Sequence, residues 1–143
     1  MRFMMIVKAS KDYEAGKMPS DQLIAAMGKY NEELMNAGVL LDLSGLQPTS
    51  RGAKVVFSGG KAVNVLDGPF AETKEVIGGY WLIQADSLHD AIEWAKRAPA
   101  PHGPNQDAEI EIRPLFEFDD FAPSEALHGA RQLRERLARK KGA

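Results

Sequence analysis

The order of apolar runs along this chain predicts an α+β domain in which two β-α-β units share one antiparallel sheet and a hairpin sits between them. Three observations carry that reading. Apolar runs at residues 2–9, 39–43, 78–85 and 108–118 have the length of strands. Two longer segments, near residues 20–38 and 87–99, repeat apolar residues at helical spacing and carry capping residues. Two β-branched runs flank Ser58-Gly59-Gly60-Lys61, the pattern of a hairpin turn.

Each element has its own local justification. RFMMIVKA is continuously apolar until charge and a polar loop end it, so it reads as a buried strand. In PSDQLIAAMGKYNEELMNAG, Ser20 caps a helix, Asp21 suits its first turn and Gly38 stops it. Leu23, Met27, Tyr30 and Leu34 form its apolar stripe, which places Tyr30 in the core. VLLDL (39–43) is the next strand, and AKVVF and AVNVLD form the hairpin. GGYWLIQA (78–85) is a strand in which Tyr80 and Trp81 point to opposite faces. The second helix, DSLHDAIEWAKRAP, has Ser87 and Asp90 spaced as a capping box and ends at Pro99. Leu88, Ala91, Ile92 and Ala95 mark its buried face. In AEIEIRPLFEF, Ile110 and Ile112 alternate with Glu109, Glu111 and Arg113, so one face of this strand is wetter. This is the split β-α-β plan of a ferredoxin-like sandwich with an added β-hairpin. Because MMIVK, VLLDL and YWLIQ are apolar at nearly every position, both sheet faces call for cover, and a homodimer supplies it.

Composition narrows the function classes. The 143 residues suffice for one domain with a real core. Without cysteine, disulfides, thiolate metal sites and cysteine nucleophiles are excluded. No apolar run approaches the roughly 20 residues of a membrane span, and the N-terminal apolar stretch is too short for a signal peptide. The expectation is a cytoplasmic protein. Residues 131–141 hold six basic side chains against Glu135 alone, while the rest of the chain is acidic. An acidic body with a basic tail is not the pattern of a nucleic-acid-binding domain. The tail segment, PSEALHGARQLRERLARKKGA, starts at Pro123-Ser124 and carries a narrow stripe of Ala126, Ala130, Leu133 and Leu137.

GLQPTS (45–50), LDGPFAETKEVIGGYWLI (66–83), DAIEWAKRAP (90–99) and EIRPL (111–115) together resemble the DGPF-domain branch of the YCII-related family, over roughly residues 1–118. The resemblance implies a ferredoxin-like fold of the dimeric α/β-barrel type. The domain is expected over residues 1–121, and the tail's own pattern adds a basic helical extension over 122–143. Relatives of the YciI type have a proposed His-Asp pair in a cleft near the sheet. Some DGPF proteins are encoded beside sigma factors, which implies a sigma-factor association among the partners. Asp67 matches the aspartate of the family motif. The histidine does not carry over, since His89, His102 and His128 all lie outside the first strand-helix region.

Several of the candidate residues admit more than one reading. Asp67 ends a strand just before Gly68-Pro69, where a carboxylate builds the turn or serves as a general base. Phe70 reads as a core or interface plug. Lys74 is a solvated lysine, a partner for Asp67 or a contact for an anionic ligand. Gly78-Gly79 permits a bulge or a close backbone approach. Arg113 pairs with Asp67 or Glu111, or clamps a ligand carboxylate. His102, alone in a loop, reads as solvent-facing. The histidines show no metal-ligand spacing, and no cofactor is implied.

Three functions follow. The first is small-molecule binding in a cleft near the dimer interface, with Asp67, Lys74, Tyr80, Trp81 and Arg113 as ligand-binding residues. The second is a cofactor-free enzyme of oxygenase or isomerase type with Asp67 as catalytic base. The third is a protein-interaction module in a sigma-factor system. Fold analogy does not choose among them.

Overall fold

The computed structural model describes residues 1–70 and 75–142. The chain opens with strand β1 (Arg2–Lys8), a single-turn helix α1 (Lys11–Glu14) and the long helix α2 (Asp21–Asn36). Strands β2 (Leu40–Gly45), β3 (Ala53–Ser58), β4 (Lys61–Asp67) and β5 (Ile77–Gln84) follow. Helix α3 (Leu88–Lys96), strand β6 (Ile110–Pro114) and helix α4 (Glu125–Lys141) complete it. The serine caps form as the sequence implies. Ser20 accepts from Leu23 N–H, Ser87 from Asp90 N–H and Ser124 from Leu127 N–H, each satisfying a backbone donor that the helix leaves open.

The main sheet runs β2-β5-β1-β6, and every neighbouring pair is antiparallel. Each helix crossover skips one strand of the other unit, so the two β-α-β units interleave. The result is compatible with a ferredoxin-like α+β fold. Residues two apart on β1 and β5 share a face. Phe3 and Met5 therefore join Trp81 and Ile83 beneath Tyr30 and Leu34 of α2 and Ala91 of α3. Phe3, Met5, Leu34 and Ile83 are fully buried, and each such side chain contributes about 1.5–3 kcal/mol through lost apolar exposure.

The opposite face of the sheet is less oily than the runs suggest. Met4, Ile6, Tyr80 and Leu82 share its centre, but Asp42, Glu111 and Arg113 stand in register beside them. Lys8 lies at one end, its ammonium 3.2 Å from Glu111. Apolar residues thus occupy the middle of this face, and charge rims it.

One further expectation needs correction. Leu88 is 47% exposed, because it occupies the first helical position, where the chain has not yet turned its apolar stripe onto the sheet. Helix α4 docks through its arginines, not its leucines. Arg131 reaches Asp119 at 3.0 Å and lies over the Phe118 ring, while Leu133 and Leu137 stay more than half exposed.

Candidate functional site

Between the β1/β5 end of the sheet, the N-terminal half of α2 and the loop near residues 101–106 lies a cavity of about 800 Å³. Local irregularity opens it. The register of β1 against β5 shifts between Val7 and Lys8, opposite Gly79 and Ile77, so Gly78 is the extra residue of a bulge. At Gly79 a Cβ would stand 2.9 Å from the Ser44 carbonyl oxygen, so only glycine lets β2 approach this closely. The bulge and the close approach end regular pairing where the cavity begins.

Its walls are apolar. Val7, Leu43 and Trp81 come from the sheet, and Leu23, Ile24 and Met27 come from α2. Gly28 also lines it, and nothing stands within 4 Å of where its Cβ would be. Three polar side chains on the wall are tied down. The Trp81 indole N–H donates to Asn31 Oδ1 at 2.7 Å. The Tyr13 hydroxyl donates to the Gly78 carbonyl at 3.0 Å, and burial pushes the Tyr13 pKa up, with the neighbouring Glu14 carboxylate adding to the rise. His102 Nε2 lies 2.9 Å from the Lys8 carbonyl, so this histidine is half-buried and anchored, not free in solvent. Asp12 and Lys17 at the rim pair with each other at 3.4 Å.

The residues expected from sequence distribute differently. Trp81 sits in the core and lines the cavity, stacked edge-on against Tyr30 with ring centroids 5.4 Å apart. Tyr80 lines it too, but its hydroxyl donates to Asp42 Oδ2 at 3.1 Å on the open face of the sheet. Asp67 is exposed at the end of β4, and Arg113 is exposed and 3.9 Å from Glu111. Neither lines the cavity. Lys74, with Glu72 and Thr73, lies outside the described residues. Among the described residues, no three of the His, Asp and Glu side chains gather closely enough to hold a metal ion.

The DGPF turn is built on its own support. At Gly68 a Cβ would fall 1.7 Å from the Thr49 carbonyl oxygen, so the turn closes directly on that backbone. Gly68 N–H donates to the Gly52 carbonyl, and Phe70 N–H donates to Thr49 Oγ1 at 3.1 Å. Thr49 in turn hangs from the Glu14 carboxylate through both its backbone N–H and its hydroxyl. The Lys54 ammonium covers the half-buried Phe70 ring at 4.2 Å.

A family model of the YCII-related domain matches residues 1–119. The chain belongs to the YCII-related family. An uncharacterized protein of Rhizobium meliloti (strain 1021) is 31% identical over 99 residues, covering 69% of this chain and 77% of that protein. The YCII-related match takes in every strand and the whole cavity wall, and it stops short of α4. No activity comes with the YCII-related name. Asn31, Tyr13 and Gly28 escape a sequence reading of this site. The usable signal was local: Gly28 and Asn31 follow the apolar stripe of α2 by one position each, at Met27 and Tyr30, and so border its buried face.

Proposed function

We propose that this YCII-related chain binds a small molecule with an apolar body in the cavity between α2 and the sheet. One observation carries the reading. The cavity has the size and make-up of ligand sites, about 300–1,000 Å³ with apolar walls and a few oriented polar groups. Tyr13, Asn31 and His102 already hold internal hydrogen bonds, so they form a rigid seat. Asp67 plays no part in this reading.

The test is a thermal-shift screen of small aromatic and aliphatic compounds against the wild-type chain and Gly28→Leu. Leucine at that position enters open space, so the fold survives while the cavity fills. Ligands that raise the wild-type melting temperature and leave the variant's unchanged support the reading. Equal shifts in both proteins contradict it.

We also propose a homodimer of the dimeric α/β-barrel type, within the DGPF branch. What supports it is the hairpin. Val55 faces Val65 across the β3-β4 pair, Phe57 lies two residues on along β3, and Val63 sits at the register shift beside it. All four side chains are more than half exposed. A two-stranded sheet is marginal alone, and such a patch marks an interface.

A further inference from the structure

Three polar residues of the cavity have hydrogen-bond partners that can play only one role, and this fixes what each still offers. An indole N–H only donates, so the Asn31 atom it meets at 2.7 Å is the amide oxygen. The Asn31 NH₂ group, a pure donor, is therefore the part left over. A backbone carbonyl only accepts, so His102 Nε2, 2.9 Å from the Lys8 carbonyl, carries the proton. The other nitrogen of the neutral ring, Nδ1, is then a bare acceptor. The Tyr13 hydroxyl spends its proton on the Gly78 carbonyl, leaving oxygen lone pairs. These three residues thus contribute one fixed donor and two fixed acceptors to the cavity wall.

That set discriminates among ligand classes. A carboxylate, acceptor only, satisfies Asn31 and repels His102 Nδ1 and Tyr13 Oη. An ammonium does the reverse. Asp12 and Lys17 neutralise each other at 3.4 Å, so that pair offers no net charge for an ion. A hydroxyl both accepts and donates. Resting on the cavity reading above, we infer that the ligand is a neutral hydroxyl-bearing ring compound of the phenol class, its oxygen accepting from the Asn31 NH₂ and its proton given to His102 Nδ1. Gly28, one helical turn before Asn31, leaves room for the ring.

Calorimetric titration with 2-naphthol, naphthalene and 2-naphthoate tests this in the full chain. Wild type should bind 2-naphthol about tenfold more tightly than either other probe, the scale of one or two net hydrogen bonds. Asn31→Asp keeps an oxygen for Trp81 but cannot donate to the ligand. His102→Phe keeps the ring shape and removes the acceptor nitrogen, along with the N–H to Lys8. Each variant should bring 2-naphthol down to the level of naphthalene. Equal wild-type binding of naphthol and naphthalene, lost together in Gly28→Leu, would overturn the hydroxyl assignment and leave the cavity reading standing. Tighter binding of naphthoate would overturn the assignment as well. No binding of any probe would remove the cavity reading itself.

Discussion

Tyr30 shows how one side chain joins core and site. Its ring meets Trp81 edge-on, its hydroxyl donates to the Trp94 carbonyl at 2.6 Å, and it is 2% exposed. Burial pushes its pKa up to about 12; the Arg97 guanidinium works against the rise and Glu33 adds to it. A raised folded-state value favours the neutral hydroxyl. Its contribution is therefore fully present below the unfolded value of about 10 and is lost as pH climbs through about 12. Tyr30→Phe should cost about 1 kcal/mol at neutral pH, because the Trp94 carbonyl loses its donor. Urea denaturation at pH 7, 9 and 11 should show the wild-type advantage holding to pH 9 and shrinking at pH 11. An advantage unchanged at pH 11 contradicts the burial argument. Tyr30 was legible from sequence because it falls in a stripe spaced by four and three. Asn31 was not, since its role rests on a bond to Trp81, fifty positions away.

Elements were legible where the signal is local, and the two glycines that matter most illustrate the boundary. Caps at Ser20, Ser87 and Ser124 and the β3-β4 turn follow from neighbouring residues. The DGPF segment reads as a rigid turn in the sequence, but nothing local announces that it closes on Thr49 or that Glu14 holds Thr49 in place. Gly68→Ala drives a methyl into the Thr49 backbone and should destabilise the chain by about 2 kcal/mol or more, read as a lower urea midpoint. An unchanged midpoint would show that this contact does not anchor the hairpin. Gly28→Ala acts in the opposite direction. A glycine inside a helix costs about 1 kcal/mol relative to alanine, and the added methyl meets nothing. The variant should melt higher; a lower melting temperature would mean that the space above Gly28 is filled.

At the scale of the whole molecule, the order of elements and the antiparallel sheet were legible because they follow from a handful of periodic segments. The position of the cavity was not, because it arises from a bulge at Gly78 and from a loop that brings His102 against Lys8. The sequence pointed to Asp67 and Arg113, whereas the fold puts both outside the cavity wall. The sheet's open face needs less cover than its apolar runs imply, and the hairpin needs more. Sedimentation velocity at micromolar concentration should accordingly show a dimer that Phe57→Glu and Val65→Glu together convert to a monomer. A wild-type protomer sedimenting alone would contradict that arrangement. The most direct test of the central claim is a crystal structure grown with 2-naphthol. Density for the ring beside Gly28, with its oxygen between Asn31 and His102, is the outcome expected. Naphthol bound only on the Val55-Phe57 face of the hairpin, with the cavity holding solvent, would contradict the account.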